Sequence, residues 1–142
     1  MDSENSIEKQ KPITVAAQHL AASADKEIVI PVSVQGVADK GVISYEFDLR
    51  YDPTVLQPLE NPVDVAGTVS RGLSVVTNAT EPGLLRVVVY GAFSIESDGV
   101  LLNLRFTAVG SVLSASPLTF ERIMFNEGEA GVSVADGRIE LF

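Results

Sequence analysis

The clearest pattern in the chain is a strict alternation of apolar and polar side chains from Ile43 to Tyr51. Successive side chains of a β-strand point to opposite faces of its sheet, so the segment Val42–Tyr51 is predicted to be a strand. One of its faces lies in the core and the other lies in water. The water-facing side chains are predicted to be Ser44, Glu46, Asp48 and Arg50.

Shorter segments of the same kind follow after Pro12, with turn residues at roughly every eight to twelve positions. No helix of ordinary length is predicted. About nine strands are more than one open sheet holds without curling, so the fold class is predicted to be all-β, a sandwich of two packed, mainly antiparallel sheets. Besides Val42–Tyr51, the predicted strands are Ile13–Ala17, Glu27–Val34, Leu73–Ala79, Leu84–Ala92, Gly99–Ala108, Pro117–Phe125 and Val132–Leu141.

Proline and glycine mark places where these strands are interrupted. Pro31 cannot donate a hydrogen bond to a neighbouring strand, so it is expected at an edge or a bulge. An aspartate followed by a proline suits a helix start, which predicts one helical turn over Asp52–Leu56. The turn residues 81–83 predict a hairpin between the flanking strands. The pair Asp136-Gly137 predicts either a tight turn or a bulge in the last strand.

The segment Leu84–Tyr90 is apolar at every position except Arg86. If alternate residues face the core, then Arg86, Val88 and Tyr90 face outward and place an apolar stripe on the surface, as at many contact sites. Otherwise a loop covers the strand, so that both faces are buried. The sequence leaves both arrangements open.

Length and composition fit one globular domain and narrow the range of partners. The 142 residues suffice for a single domain, predicted at 12–142. The polar residues 1–11 are predicted to be a disordered leader or a cloning remnant. A formal net charge of −9 opposes binding to nucleic acid and to anionic lipid. No apolar run reaches the roughly 18 residues of a membrane span, so membrane insertion is not expected either.

Catalytic chemistry finds little support in the sequence. The chain has no cysteine and one histidine, His19, which no catalytic motif surrounds. His19 is therefore expected at the surface or in an edge strand. Because no motif combines a nucleophile, a base and an orienting group, the protein is predicted not to be an enzyme.

Asn126, Glu127 and Glu129 form the one candidate metal site, because Ca²⁺ prefers clustered oxygen ligands. Their spacing matches no EF-hand loop. The alternative is a polar loop closed by Gly128 and Gly131. No other cofactor is expected for this chain.

Five segments, taken in order and at their separations, resemble the cohesin domain. The YDPTVL and DGVL stretches are specific only in combination, and the resemblance covers 12–142. The five segments are KGV at Lys40–Val42, YDPTVL at Tyr51–Leu56, GLLRV at Gly83–Val87, SDGVLLNLRF at Ser97–Phe106 and DGRI at Asp136–Ile139.

This resemblance implies a nine-stranded jelly-roll sandwich in an extracellular or cell-surface protein. It implies a non-catalytic module that binds a dockerin, a protein module that is itself folded around calcium. The partner would dock on a sheet face formed partly by Val42–Tyr51 and partly by Leu84–Tyr90.

The resemblance also implies polar recognition groups, typically an amide and a carboxylate, on the outward side of Val42–Tyr51. Ser44 and Glu46 are the candidates, and a serine in place of an amide offers a different set of donors and acceptors. The full set of expected partner-binding residues is Ser44, Glu46, Asp48, Arg50, Arg86, Val88 and Tyr90.

Two other functions remain open at this point. A carbohydrate-binding module could share the sandwich, but sugar platforms use planar aromatic rings and the chain has no tryptophan, three tyrosines and six phenylalanines. Alternatively, a structural module could self-associate as a weak homodimer through an exposed strand edge such as Glu27–Val34.

Overall fold

The computed structural model describes residues 11–128 and 131–142, and these residues form eleven β-strands and no helix. The leader predicted at 1–11 lies outside this described part, except for Lys11. The described residues include no helix long and apolar enough to cross a membrane. The strands are β1 (Ile13–Ala17), β2 (His19–Ala22), β3 (Glu27–Gln35), β4 (Ser44–Arg50), β5 (Leu56–Asp64), β6 (Ser74–Asn78), β7 (Leu84–Tyr90), β8 (Gly99–Ala108), β9 (Ala115–Phe125), β10 (Val132–Ala135) and β11 (Gly137–Leu141).

The strands form two sheets with one apolar core between them. One sheet has the order β10-β1-β3-β8-β5 and the other has the order β2-β11-β9-β4-β7-β6. Among the described strands, β1 with β10 and β2 with β11 pair in parallel and the other neighbours are antiparallel. Buried side chains of both sheets form one cluster, including Phe106 of β8 and Phe47 of β4. The predicted all-β sandwich is confirmed, with eleven strands instead of nine.

Two chain segments pass from one sheet to the other side by side. Gln18 separates β1 from β2, and Asp136 separates β10 from β11, while β1 pairs with β10 and β2 with β11. Arg138 N donates to Gln18 O at 3.1 Å, and Phe120 N donates to Asp136 Oδ1 at 3.0 Å. The prediction of a tight turn or bulge at Asp136-Gly137 is therefore wrong, because the pair forms a crossing between the sheets.

β4 shows the predicted alternation of buried and outward side chains. Tyr45 and Phe47 are each 1% exposed. The rings of Phe47 and Phe120 lie 5.4 Å apart between centroids at an interplanar angle of 80°, an edge-to-face contact. Since Phe47 lies between Glu46 and Asp48 in the chain, its packing holds both carboxylates on the outward side.

Prolines lie where strand pairing is interrupted. β3 pairs with β8 over most of its length but with β1 only from Val32 onward, so Pro31 lies just beyond the residues paired with β1. A bulge is present one residue later, between Val32 and Ser33, and Pro31 itself lies in the part of β3 that β1 does not pair with. The expectation of an edge or a bulge at Pro31 is therefore confirmed, although β3 is an internal strand of its sheet. The sequence pattern does not predict β5, an edge strand that tolerates Pro58 and Pro62 because one side has no partner.

The segment before β5 forms one hydrogen-bonded turn. Val55 N and Leu56 N both donate to Asp52 O at 3.0 Å. Thr54 Oγ1 and Thr54 N donate to Asp52 Oδ1 at 2.7 Å and 2.9 Å, and these two hydrogen bonds lower the pKa of the Asp52 carboxyl. The predicted helical turn is thus a single turn that ends where β5 begins.

Candidate functional site

Four neighbouring strands of the six-stranded sheet, β9, β4, β7 and β6, share an outward side that we call the outer face. The strand register defines its rows. Glu46 of β4 lies beside Met124 of β9 and Val88 of β7, and Val88 lies beside Val76 of β6. The adjacent rows are Arg122, Asp48, Arg86 and Asn78 on one side and Ser44, Tyr90 and Ser74 on the other.

All seven side chains that the sequence singles out for partner binding lie on the outer face or at its end. They are Ser44, Glu46, Asp48 and Arg50 of β4 and Arg86, Val88 and Tyr90 of β7. The two strands pair directly, which places the two groups side by side. Of the two arrangements left open for β7, the structure has the one with an exposed apolar stripe.

The carboxylates of β4 are paired with arginines of the neighbouring strands. Arg122 Nη1 of β9 lies 3.2 Å from Glu46 Oε2, and Arg86 Nε of β7 lies 3.9 Å from Asp48 Oδ1. The hydrogen bond to Glu46 raises the pKa of the Arg122 guanidinium. Both carboxylates therefore have a cationic neighbour before any partner binds.

A β-bulge in β9 brings a further ion pair to the end of the outer face. The β4–β9 register shifts between Asp48 and Leu49, where Glu121 is the extra residue of β9. Arg50 Nε lies 2.8 Å from Glu121 Oε1, and Arg50 Nη1 lies 2.8 Å from Glu81 Oε2. The hydrogen bonds to Glu121 and Glu81 raise the pKa of Arg50, which keeps its charge while bridging two carboxylates.

Three exposed apolar side chains, Val76, Val88 and Tyr90, form a group that we call the apolar ridge. Their exposed fractions are 53%, 38% and 49%. Val76 and Val88 are cross-strand neighbours, and Tyr90 lies two residues beyond Val88 on the same side of β7. Exposed apolar groups of this kind are typical of protein contact sites.

The sequence pattern misses the part of the outer face that β9 and β6 contribute. In Ser74–Asn78 the two valines are adjacent, so the sequence does not show which of them faces outward from β6. A stronger signal exists in β9, where the buried Phe120 and Phe125 are five residues apart and cannot share one face of a regular strand. The bulge between them resolves this spacing. The missed residues are Val76, Asn78, Glu121, Arg122 and Met124.

Tyr45 supports the outer face from the core side. Its hydroxyl lies 2.7 Å from Ser70 Oγ, and its ring centroid lies 5.5 Å from that of Phe125. Ser70 N donates to Thr68 Oγ1 at 3.2 Å, and that hydroxyl donates to Val65 O at 2.7 Å. These bonds tie the loop before β6 to the beginning of β4. Burial raises the pKa of Tyr45, and the hydrogen bond with Ser70 offsets only part of this increase.

We expect Tyr45→Phe to lower the free energy of unfolding by about 1–2 kcal/mol. The substitution leaves the hydroxyl of Ser70, a residue that is 0% exposed, without its partner in the core. Urea denaturation measures the loss. Adding Ser70→Ala removes the stranded hydroxyl, so the double variant should lose less than the sum of the two single variants. Strictly additive losses would show that the two groups are not coupled.

The same variant tests the shifted pKa of Tyr45. In the unfolded chain Tyr45 ionises near its ordinary pKa of 10.0, whereas burial keeps it protonated in the folded protein. The folded state then binds more protons at alkaline pH, so this contribution to stability is full below pH 10 and falls as the pH rises further. Between pH 10 and about pH 12, Tyr45→Phe should lose stability less steeply than the parent protein.

The structure also describes two other side chains that the sequence analysis singles out, His19 and Asn126. His19 is exposed in the edge strand β2, as predicted. Asn126 holds the segment before β4, because its N donates to Ser44 O at 2.8 Å and its Oδ1 accepts from Ile43 N at 2.9 Å. Glu129 of the candidate calcium site lies outside the described residues. Within 11–128 and 131–142, no three His, Cys, Asp or Glu side chains gather as a metal site requires.

The geometry gives little support to the two alternative functions. Of the three tyrosines, Tyr45 and Tyr51 are 1% and 6% exposed, which leaves Tyr90 as the exposed tyrosine. Phe93 and Phe142 are the other exposed aromatic side chains among the described residues. In the described pairing, β8 lies along Glu27–Val34 and β1 lies along Val32–Gln35. The expected exposed edge at Glu27–Val34 is therefore wrong at residues 32–34, which have partners on both sides.

The two packed sheets and the exposed apolar ridge on one of them place this protein in the class of β-sandwich interaction modules. Within that class, the family model of the cohesin domain matches residues 13–140. Because this match covers most of the chain, the protein belongs to the cohesin family. The resemblance carried by the five sequence segments is thereby confirmed.

Individual relatives agree with this assignment. Cellulosomal-scaffolding protein A of Acetivibrio thermocellus is 29% identical over 126 residues, which cover 78% of this chain and 6% of that protein. The sixth cohesin of scaffoldin B from Acetivibrio cellulolyticus, solved in complex with a mutant Cel5 dockerin, has a TM-score of 0.79 at 20% identity, covering 93% of this chain and 100% of that one. A non-cellulosomal cohesin from the archaeon Archaeoglobus fulgidus has a TM-score of 0.74 at 21% identity, covering 93% and 92%.

Proposed function

We propose that this cohesin domain is a non-catalytic module that binds a dockerin-type protein module through its outer face. The observation that supports this most directly is the outer face itself, where an exposed apolar ridge adjoins a group of paired charges on one side of a sheet. The cohesin of A. cellulolyticus scaffoldin B was solved with a dockerin bound, which favours the same type of partner here.

The proposed contact residues are the seven predicted ones on β4 and β7. Glu46 presents a carboxylate that accepts hydrogen bonds, and Ser44 presents a hydroxyl that both donates and accepts. A hydroxyl is shorter than an amide, so we expect the partner to differ from dockerins that recognise an amide at this position. The contact set is Ser44, Glu46, Asp48, Arg50, Arg86, Val88 and Tyr90.

The relatives also indicate where the module is located. The cellulosomal scaffolding relative, of which the chain spans 6% of the length, supports an extracellular or cell-surface location. We propose that 12–142 forms the single binding domain. Calcium is assigned to the dockerin partner, which needs it to fold, and no cofactor is assigned to the cohesin domain itself.

Capture of dockerins by the purified domain tests the proposal. The probes are the recombinant dockerin modules of the source organism together with the Cel5 dockerin, each loaded with calcium. We expect capture of at least one dockerin in calcium and its loss on adding a chelator. A bait that is folded by circular dichroism and captures none of them would contradict the proposed function.

Substitutions on the outer face locate the binding site. We expect Glu46→Arg and Tyr90→Ala each to lower the affinity for the captured dockerin at least about tenfold, as measured by isothermal titration calorimetry. Glu46→Arg adds a bulky cation beside Arg122 at the centre of the face, whereas Tyr90→Ala removes a large part of the apolar ridge. The control is Glu27→Arg, the same charge change on the exposed start of β3 in the other sheet. Unchanged affinity in both outer-face variants would place the site elsewhere.

A further inference from the structure

We propose that the edge strand β6 pairs with β6 of a second copy of the chain, in antiparallel register about Val76. β6 is the last strand of the six-stranded sheet, and this edge differs from the one that the sequence analysis expects at Glu27–Val34. The inference concerns the backbone of β6, whereas the proposed function concerns outward side chains of β4 and β7. The two proposals can therefore fail separately.

The hydrogen bonds of the neighbouring strand show which backbone groups of β6 point past the sheet edge. Gly91 N donates to Ile43 O at 3.0 Å, so in this register the odd-numbered residues of β7 bond to β4. Bonding direction alternates along a strand, so the even-numbered residues of β7 bond to the even-numbered residues of β6. The N–H and C=O groups of Val75 and Thr77 therefore point away from the sheet. The described residues offer these four groups no hydrogen-bond partner.

These four backbone groups match their counterparts in a second copy. When two β6 strands run antiparallel with Val76 at the two-fold axis, Val75 of each copy lies opposite Thr77 of the other. Each of these two pairs can form two N–H···O bonds, which gives about four backbone hydrogen bonds across the interface. The two Val76 side chains face each other, and Ser74 lies opposite Asn78 on either side. An apolar pair is thus flanked by two polar pairs, so β6 is complementary to itself.

The composition of β6 does not oppose this pairing. Its sequence SVVTN contains no proline and no charged side chain, and its three consecutive β-branched residues favour extended backbone. The edge strand β5 of the other sheet, in contrast, contains Pro58, Glu60 and Pro62. Prolines and charges of this kind prevent pairing between sheet edges. β6 lacks that protection.

Charges beyond the two ends of β6 are complementary in the antiparallel arrangement. Arg71 lies three residues before β6 and Glu81 lies three residues after it. Because the start of one strand meets the end of the other, Arg71 of each copy lies at the same end as Glu81 of the other. Arg71 is exposed and makes no ion pair within the described part of the chain. The ion pair of Glu81 with Arg50 uses Oε2, so Oε1 can accept from Arg71 of the second copy.

The pairing joins two six-stranded sheets into one continuous sheet, with both outer faces on the same side. The outward side chains of β4 and β7 stay uncovered, so self-pairing is compatible with the proposed partner binding. Only one strand and its flanking turns from each copy enter the interface. We therefore expect a weak dimer, with a Kd of about 0.1–1 mM.

Sedimentation equilibrium between about 10 µM and about 1 mM tests for this dimer. We expect the average mass to rise with concentration from 15.1 kDa toward twice that value. Thr77→Pro should stay at the monomer mass, because the proline removes an edge N–H and no hydrogen bond to β7. Circular dichroism checks that this variant is folded. A parent protein that stays monomeric up to about 1 mM, or a folded Thr77→Pro that associates equally, would overturn the inference.

Cysteine substitutions test the register independently, because the chain has no cysteine of its own. In the proposed pairing, the Cα atoms of the two residues 76 lie about 4.5 Å apart, a distance that a disulfide spans. Ser74→Cys is the matched control on the same side of β6, since the two residues 74 are about 14 Å apart. With oxidised glutathione as the oxidant, we expect Val76→Cys to form a covalent dimer at least about tenfold faster than Ser74→Cys. Equal rates, or faster crosslinking of Ser74→Cys, would overturn the inference.

Discussion

Gly137→Ala is expected to destabilise the domain by about 3 kcal/mol, although it adds only one methyl group. A Cβ atom at this position would lie 2.5 Å from Gln18 O and 2.9 Å from both C and Cβ of Ala17. These neighbours are mainly backbone atoms of the crossing between β1 and β2, which no rotamer change can move. The two crossing segments would have to separate, which weakens the hydrogen bond from Arg138 N to Gln18 O.

Urea denaturation of Gly137→Ala and of a control variant at a second glycine measures this loss of stability. The control is Gly131→Ala, because no atom of the described residues lies within 4 Å of a Cβ added there. We expect Gly131→Ala to change the free energy of unfolding by no more than about 0.5 kcal/mol. Equal losses at the two positions would rule out the close approach at Gln18 as the cause.

Phe47→Ala is expected to cost about 3–5 kcal/mol of unfolding free energy. Phe47 is 1% exposed at the centre of β4 and packs edge-to-face on Phe120, so its removal leaves a cavity between the sheets. Domains have total stabilities of about 5–15 kcal/mol, so this single truncation removes a large share. The cavity would lie directly behind the outward Glu46 and Asp48, and the outer face would lose its support.

An exposed phenylalanine is the matched control for this truncation. Phe93 is 75% exposed, so Phe93→Ala should change the stability by no more than about 0.5 kcal/mol. Chemical denaturation and thermal unfolding of both variants give the comparison. A small loss for Phe47→Ala would mean that the core of this sandwich collapses around the missing ring.

These two substitutions concern different supports of the same face. Phe47 supports it locally, because buried and outward side chains alternate along β4. Gly137 acts through topology, because the crossing brings β11 to β9, and β9 lies beside β4. The binding surface that we propose therefore depends on contacts made on the opposite side of the sheet and at its far edge.

Much of the candidate site could be predicted from the residues of two strands. Alternation along Val42–Tyr51 was sufficient to place Glu46 and Asp48 outward, since the side-chain period of a strand is two. The same reasoning applied to β7 placed Val88 and Tyr90 on its outward side but left open whether anything covered them. Local sequence contains no information on that cover, which depends on where distant loops run.

The remaining part of the site could not be predicted because it depends on strand order. Val76 and Arg122 come from strands separated in the chain by β7 and β8, yet both lie on one face with Glu46. Regular alternation counted from the buried Phe120 would place Arg122 on the core side, and the bulge at Glu121 turns it outward. A bulge follows from the fit of two strands to each other, and neither strand shows that fit alone.

By itself, the sequence determined that this protein is an all-β sandwich, which residues of β4 face outward, and, through five short segments, the family. These properties are local, because apolar alternation and turn residues act over a few positions. The tertiary structure alone decided that the outer face has four strands, that its charges are paired, and that Asp136-Gly137 crosses between the sheets. These properties depend on register and on backbone approach between residues far apart in the chain, which are set only when the two sheets pack.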